Sequence, residues 1–323
     1  MKKLLIICGP TGTGKTTLAV KLAKKFSGEI VSADSRQVYK GMNIATGKDL
    51  PKRAKFISSP KKTLIGYYLF DDIPVWMLDV ALPNYHFSVA DYHEIAHGVI
   101  ENIWKRGKLP LLTGGTGLYL KAMVGGIDTL GVPPNPELRS HYQKKKVEEL
   151  FSILFHLDPE TAGKLNPDDQ QNKRRLIRKI EIAQTGPERK SRKEWTFFEN
   201  LTIGLMSSSP ILYERIDKRI DKWVKMGAEK EVKRLLESGY RWDLPSMTGI
   251  GYREWKDFFE GKATREEAVQ KWKFNEHAYV RRQMTWFRKS PEVNWFDIST
   301  GKWENEVEKL VSAWLAKKNA KKS

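Results

Sequence analysis

The sequence predicts an α/β protein: a parallel sheet with helices on both faces, interrupted by a helical insertion. Three observations predict it. Over residues 1–120, short apolar runs ending in polar or glycine turns alternate with segments of helical period, which is how βαβ units read. A glycine-rich turn, Gly9 to Thr16, joins the first apolar run to the first helical segment. From about Gly125 to Gly186-Pro187 the strand signal fades and helical patterning takes over, before a strand-like run returns at Ile203-Gly204-Leu205.

Leu4 to Cys8 reads as the first strand. Thr17 to Phe26 follows as a helix with Leu18, Leu22 and Phe26 one turn apart. Glu29 to Ala33 is a second strand ending at Asp34, and Val75 to Leu78 a third ending at Asp79. Val89 to Lys105 is a helix whose inward face is Tyr92, Ile95, Ala96, Val99 and Ile103, with Ser88 as N-cap and Asp91 three residues on. Leu109 to Thr113 is a fourth strand, closed by Gly114-Gly115. Within the insertion, Asp169 to Gln184 reads as one helix with Leu176, Ile177, Ile180 and Ala183 inward. Helices are expected at about 210–238 and 264–288, and Glu304 to Ala316 is amphipathic before a lysine tail. The boundaries that follow are a core of 1–124 and 196–290, an insertion of 125–195, and a C-terminal segment of 291–323.

Net charge is +18, from 57 Lys and Arg against 39 Asp and Glu. Such an excess favours a polyanionic partner, most simply nucleic acid. The lone Cys8 excludes an internal disulfide and a cysteine-clustered zinc site, and suits a reducing cytoplasm. No apolar run approaches a membrane span.

GPTGTGKT matches the phosphate loop G-x-x-x-x-G-K-[ST] at every fixed position. Gly9, Pro10, Thr11, Gly12, Thr13, Gly14, Lys15 and Thr16 are thus candidates to bind a diphosphate or triphosphate, with the Thr16 hydroxyl on Mg²⁺. The loop leaves the reaction open, since kinases, ATPases and GTPases share it. Ligands of parallel sheets sit beyond the carboxyl ends of the strands, so Asp34, Asp79 and Thr113 to Gly117 should converge on it. Asp34 suits a Mg²⁺ ligand, a general base or a helix cap. Asp79 reads as a Walker-type metal carboxylate or a structural one. The glycines beside Thr116 let backbone and hydroxyl approach a ligand closely. Lys173-Arg174-Arg175 with Arg178 and Lys179 is a basic helix face, either solvated or an RNA contact. Arg219, one turn from Arg215, can hold a phosphate or pair with a nearby carboxylate.

Taken together, the blocks resemble the bacterial tRNA dimethylallyltransferase family. They are GPTGTGKT at Gly9, DSRQVYKGM at Asp34, SVADY at Ser88 and LPLLTGGTGLYLKA at Leu109. RRLIRKIEI at Arg174, YERIDKRID at Tyr213, GIGYREW at Gly249 and RRQMTWFR at Arg281 follow in order. The resemblance implies a P-loop-type core that moves a dimethylallyl group from dimethylallyl diphosphate to the exocyclic amine of the adenosine 3′ of the anticodon, releasing pyrophosphate. It implies Mg²⁺ as cofactor, Asp34 as general base, and Arg219 near the diphosphate. It implies that Asp34, Ser35, Arg36 and Gln37 contact the flipped base, and that Thr116, Arg139, Arg174, Arg175, Leu176, Ile177 and Arg178 hold the tRNA anticodon stem-loop. A monomeric cytoplasmic enzyme is expected. Three rivals compete: a P-loop kinase with Asp79 on the metal, a related enzyme that prenylates free adenine nucleotides and leaves the basic helices without a purpose, and an RNA-binding protein switched by a nucleotide. The chain departs from the resemblance at Glu276-His277, where members often carry Thr-Arg, and slightly at Ala45 to Lys48.

Overall fold

A computed structural model describes residues 2–51, 54–58, 65–125, 132, 134–185 and 198–317. The glycine change at Gly126, the start of the proline connector, Gly186-Pro187 and the tail lysines Lys318, Lys321 and Lys322 lie outside the described residues. The chain forms two compact units, Met1–Gly125 with Phe197–Ser323, and Gly126–Thr196.

In chain order the first unit begins β1 (Lys2–Cys8), α1 (Lys15–Lys25), β2 (Gly28–Ser32), β3 (Phe56–Ile57), β4 (Tyr67–Phe70) and β5 (Ile73–Trp76), then α2 (Val89–Lys105), β6 (Leu109–Thr113) and α3 (Gly117–Val124). The second unit holds α4 (Pro136–Gln143), α5 (Val147–Leu157), α6 (Pro159–Gly163), α7 (Pro167–Gln170) and α8 (Lys173–Gln184). The first unit resumes with β7 (Phe198–Met206), α9 (Ser209–Met226), α10 (Ala228–Glu237), a 3-10 turn at Arg253–Trp255 and α11 (Lys256–Phe259). It ends with α12 (Arg265–Phe287), β8 (Val293–Asp297) and α13 (Trp303–Ala316).

One eight-stranded sheet runs β3-β4-β5-β2-β6-β1-β7-β8. Every residue of β2 and β6 is buried, so the sheet centre is covered on both faces, as continuous apolar runs require. The pairings β5-β2-β6-β1-β7-β8 are all parallel. The wholly parallel expectation fails at one edge, where β4 is antiparallel to both β3 and β5. Asp71 and Asp72 turn that hairpin with φ of 48° and 68°, the left-handed pair a two-residue turn needs. β8 joins the sheet and α13 packs on β7 and β8, so these parts of the segment set apart as C-terminal belong to the first unit.

α2 spans the expected residues, and Ser88 with Asp91 forms a reciprocal capping box. The helix expected over 210–238 breaks at Gly227, whose φ of 99° ends α9 and starts α10. The helix expected from Asp169 breaks too: Asn172 leaves helical geometry so that its side chain can cap α8 by accepting from the Arg175 N–H. The second unit has its own core, in which Leu150 and Leu154 of α5 meet Leu176, Ile177 and Ile180 of α8. Among the described residues no helix is long and apolar enough to cross a membrane.

Candidate active site

The parallel order brings the ends of β1, β2 and β6 together, because β6 lies between β1 and β2. Their following loops, with α9 and α12, line a cavity of about 400 Å³. Thr11, Gly12, Gly14, Lys15 and Thr16 of the glycine loop face it, as do Asp34 to Gln37, Thr113 to Gly115 and Arg219.

The loop's shape is set by backbone that only glycine adopts easily. Gly9 has φ of 134°, and a Cβ there would lie 2.3 Å from the Leu205 carbonyl oxygen. Gly12 and Gly14 also have positive φ, and Gly14 is the left-handed N-cap of α1. The helix thus opens with free N–H groups toward the cavity. Lys15 Nζ donates to the Pro10 carbonyl at 2.8 Å, folding over the loop, and Thr13 Oγ1 donates to the same oxygen at 2.9 Å. Desolvation, then the Arg219 guanidinium, pushes the Lys15 ammonium down to about 8. A bound polyanion would oppose both effects by favouring the charged ammonium.

Asp34 follows β2. Its Oδ1 accepts the Arg36 N–H at 2.8 Å, pinning the turn. No hydrogen bond to Oδ2 occurs among the described residues. The Ser35 N–H donates to Thr116 Oγ1 at 3.0 Å, so the DSRQ turn and the TGGTG turn hold each other. Thr116 sits behind the cavity in this linkage. Gln37 accepts from Ser32 Oγ at 2.9 Å and donates to the Gly47 carbonyl at 3.0 Å. Arg36 Nη1 donates to the Pro245 carbonyl at 2.6 Å.

Arg219 donates to Thr11 Oγ1 and stacks over the Trp223 ring at 4.6 Å. Its Nε is buried with no hydrogen-bond partner among the described residues, as is Thr113 Oγ1. Orphaned buried donors are rare and costly. A donor of this kind beside a glycine loop fits an anionic ligand.

Asp79 is no open metal carboxylate. It accepts from the buried Lys48 ammonium, and from Tyr68 Oη at 2.6 Å. Lys48 also donates to the Tyr39 carbonyl at 2.6 Å and Asn43 Oδ1 at 3.0 Å. Burial lowers the lysine's basicity even against that carboxylate. Asp79 therefore buttresses the DSRQVYKGM loop, with its own N–H on the Gln37 carbonyl at 3.2 Å.

Mg²⁺ fits the donors present. No group of three or more His, Cys, Asp and Glu gathers as a metal site among the described residues. Magnesium needs none when it keeps waters and takes phosphate oxygens. The Thr16 hydroxyl, facing the cavity, is the protein ligand such an ion would use.

Nothing in the RRQMTWFR block distinguishes Gln283 at the level of sequence. Its Oε1 accepts the Thr11 N–H and its Nε2 donates to the Gly115 carbonyl, both at 2.9 Å. One α12 side chain thereby clamps the phosphate loop to the β6 turn. Lys48, Trp223 and Tyr279 are likewise not distinguished there, and all line the cavity.

The remaining expected residues lie in the second unit, and most are occupied. Glu181, 2% exposed, takes Arg139 through Nε and Nη2 at 3.0 and 2.8 Å. It also takes Arg178, whose Nη2 reaches the Val132 carbonyl at 2.7 Å. Burial pushes the Glu181 carboxyl up, but Arg139, the Asn135 N–H and Arg178 outweigh it and leave it below its ordinary value. Arg175 pairs with Asp169. Leu176 and Ile177, expected to touch RNA, are 0% and 4% exposed in the unit's core. That expectation is corrected for their side chains, because the α8 periodicity sends them inward. Arg139, Arg174 and Arg175 are all exposed, but Arg139 and Arg175 are held by carboxylates, whereas no ion pair to Arg174 occurs among the described residues.

A family model described as IPP transferase matches residues 37–290, and one described as isopentenyl transferase matches residues 2–62. The tRNA dimethylallyltransferase of Roseiflexus sp. (strain RS-1) is 38% identical, with 98% of this chain and 99% of that protein covered. The crystal structure of the full-length tRNA isopentenylpyrophosphate transferase from Bacillus halodurans superposes with a TM-score of 0.70 at 34% identity, covering 98% of this chain and 97% of that one. A eukaryotic dimethylallyltransferase acting on tRNA shares the fold, with a TM-score of 0.77 at 23% identity, covering 100% of this chain and 82% of that one.

Proposed function

The chain belongs to the IPP transferase family, and we propose that its cavity joins dimethylallyl diphosphate to one extruded adenine of a tRNA. It is a prenyltransferase that acts on tRNA. The observation that carries the finer reading is the pairing of Asp34, with a free carboxylate oxygen, and a glycine loop whose partner Arg219 keeps an orphaned donor in the same cavity.

The diphosphate lies on the Gly12–Thr16 amides, Lys15 and Arg219. As the allylic C1–O bond breaks, its electron pair leaves with pyrophosphate, and these donors stabilise the charge that grows there. Mg²⁺, when bound through Thr16, adds charge neutralisation on the leaving oxygens. The adenine amine forms the new N6–C1 bond and loses a proton, which Asp34 Oδ2 accepts. Arg36 and Gln37 sit where an adenosine flipped out of the 3′ side of the anticodon would enter, and base extrusion brings its amine to the cavity. The +18 charge and the exposed Arg174 supply phosphate contacts, with binding that weakens steeply in salt. One chain carries every group this scheme needs, acting where tRNA is, in the cytoplasm.

Incubation with dimethylallyl diphosphate, Mg²⁺ and unmodified tRNA should yield isopentenyladenosine by nucleoside mass spectrometry. Phosphate transfer from ATP with no prenylated nucleoside would overturn the reading. A second expectation concerns pH. Lys15 must be charged to hold the diphosphate, and it loses its proton near 8 in the free protein. So kcat/KM for the donor, which reports the free enzyme, should fall as pH rises through about 8. Initial rates from wild type and Lys15→Arg, which stays charged, test this; an equal fall in both would reject it.

A further inference from the structure

Among the described residues three carboxylates line the cavity: Asp34, Asp49 and Glu276. Asp34 is tied into its own turn and Asp49 is exposed. Glu276 differs from both. It is 7% exposed, and no hydrogen bond or ion pair joins its carboxyl to a described side chain. The Trp272 indole N–H, one turn earlier, lies beside that carboxyl and favours its charged form, without reaching full hydrogen-bond geometry with any acceptor among the described residues.

Its direction is set by α12. Trp272, Glu276 and Gln283 are the buried face of that helix, and Glu276, Tyr279 and Gln283 all line the cavity. Gln283 holds the phosphate loop at Thr11. Glu276 lies two turns away, about 10 Å along the helix axis. The groups acting on it come from every neighbouring element. Arg219 of α9 attracts its charge, while Glu254 of the 3-10 turn and Asp34 after β2 oppose it. Of the cavity's cations, Lys48 is taken by Asp79, Arg36 by the Pro245 carbonyl and Arg253 by Glu254. Lys15, Arg219 and Arg282 remain to serve a ligand.

A buried carboxylate in a cavity built for a diphosphate is an electrostatic conflict, because two anions would share the same cations in a poorly solvated space. The conflict vanishes if the carboxyl holds a proton. Burial first, eased by Arg219 and reinforced by Glu254, pushes the Glu276 carboxyl up to about 7. We propose that Glu276 is a protonation gate on the diphosphate subsite: the donor binds with this carboxyl neutral, and the ionised form turns it away. Donor binding near neutral pH then takes up a proton, and the donor KM rises with pH before Lys15 titrates. This rests on the diphosphate reading of the same cavity.

The test is calorimetric titration with inorganic pyrophosphate and Mg²⁺ from pH 6 to 8.5, in buffers of differing ionisation enthalpy. Wild type is compared with Glu276→Gln and Glu276→Thr, each checked for an unchanged far-UV spectrum. Pyrophosphate and Lys15 titrate alike in all three proteins, so the ratio of dissociation constants isolates Glu276. Equal affinity is expected at pH 6. At pH 8.5 the wild type should be about thirtyfold weaker, the factor by which a carboxyl titrating near 7 is ionised there, and should take up about one proton that neither variant does. A pH-independent ratio, or weaker binding by both variants at every pH, overturns the gate alone. No pyrophosphate binding by the wild type at pH 6 overturns the diphosphate reading with it.

Discussion

Asp34→Asn should lower turnover by about 10²–10⁴-fold, the usual worth of a positioned general base, while leaving donor and tRNA binding within a few-fold of wild type. The substitution is chosen for what it keeps. Asn retains Oδ1, so the Arg36 N–H still has its acceptor at the turn and the Ser35–Thr116 contact is undisturbed. What disappears is the basic oxygen that takes the amine's proton. Single-turnover prenylation with pre-bound tRNA separates this from binding, because a lost base lowers the chemical rate and spares both dissociation constants. Asp34→Ala removes the turn acceptor as well and should cost binding in addition. Turnover by the Asn variant within tenfold of wild type would remove Asp34 as the base.

Gly114→Ala should cripple the protein in a different way. A Cβ at 114 would sit 2.1 Å from the Ala33 carbonyl oxygen and 2.8 Å from its Cα. Both contacts are backbone, so no side chain can swing aside. Ala33 donates to the Thr113 carbonyl at 2.7 Å and accepts from the Thr116 N–H at 3.2 Å, so the clash falls where the ends of β2 and β6 are stitched together. Overpacking of this kind costs about 1–3 kcal/mol, which thermal melting should register as a drop of several degrees. Catalysis should suffer more than stability. Asp34 is the next residue along, and about 1 Å of misplacement can cost about 10²-fold. A variant with wild-type melting and wild-type turnover would mean that the two strand ends can separate freely.

Most of the first unit was legible because its signals are local. The α2 boundaries follow from one apolar face and the Ser88–Asp91 box, both contained within consecutive residues. The glycine loop announces itself because its positive φ values admit few other residues. The β4–β5 hairpin at the sheet edge was not legible. Its turn is Asp71-Asp72, left-handed without glycine, and Pro74 breaks the apolar run within β5, so the run reads as beginning only at Val75. The breaks at Asn172 and Gly227 were missed because the apolar period continues across them; only the backbone shows the chain re-capping.

The site divides along the same line. Residue types and spacing by themselves determined the phosphate cradle, Asp34 at the end of a buried strand, and the family blocks from Gly9 to Arg288. Those features are short in sequence, and the chemistry follows from what each residue is. Tertiary structure alone decided that Asp79 is spent on Lys48 and Tyr68 and does not face a metal. It alone decided that Arg139 and Arg178 neutralise the buried Glu181. Gln283, 272 residues from Thr11, likewise locks the loop only in the folded chain. The reason is physical: a charged side chain's role depends on which partner desolvation forces upon it, and that partner comes from a distant part of the chain.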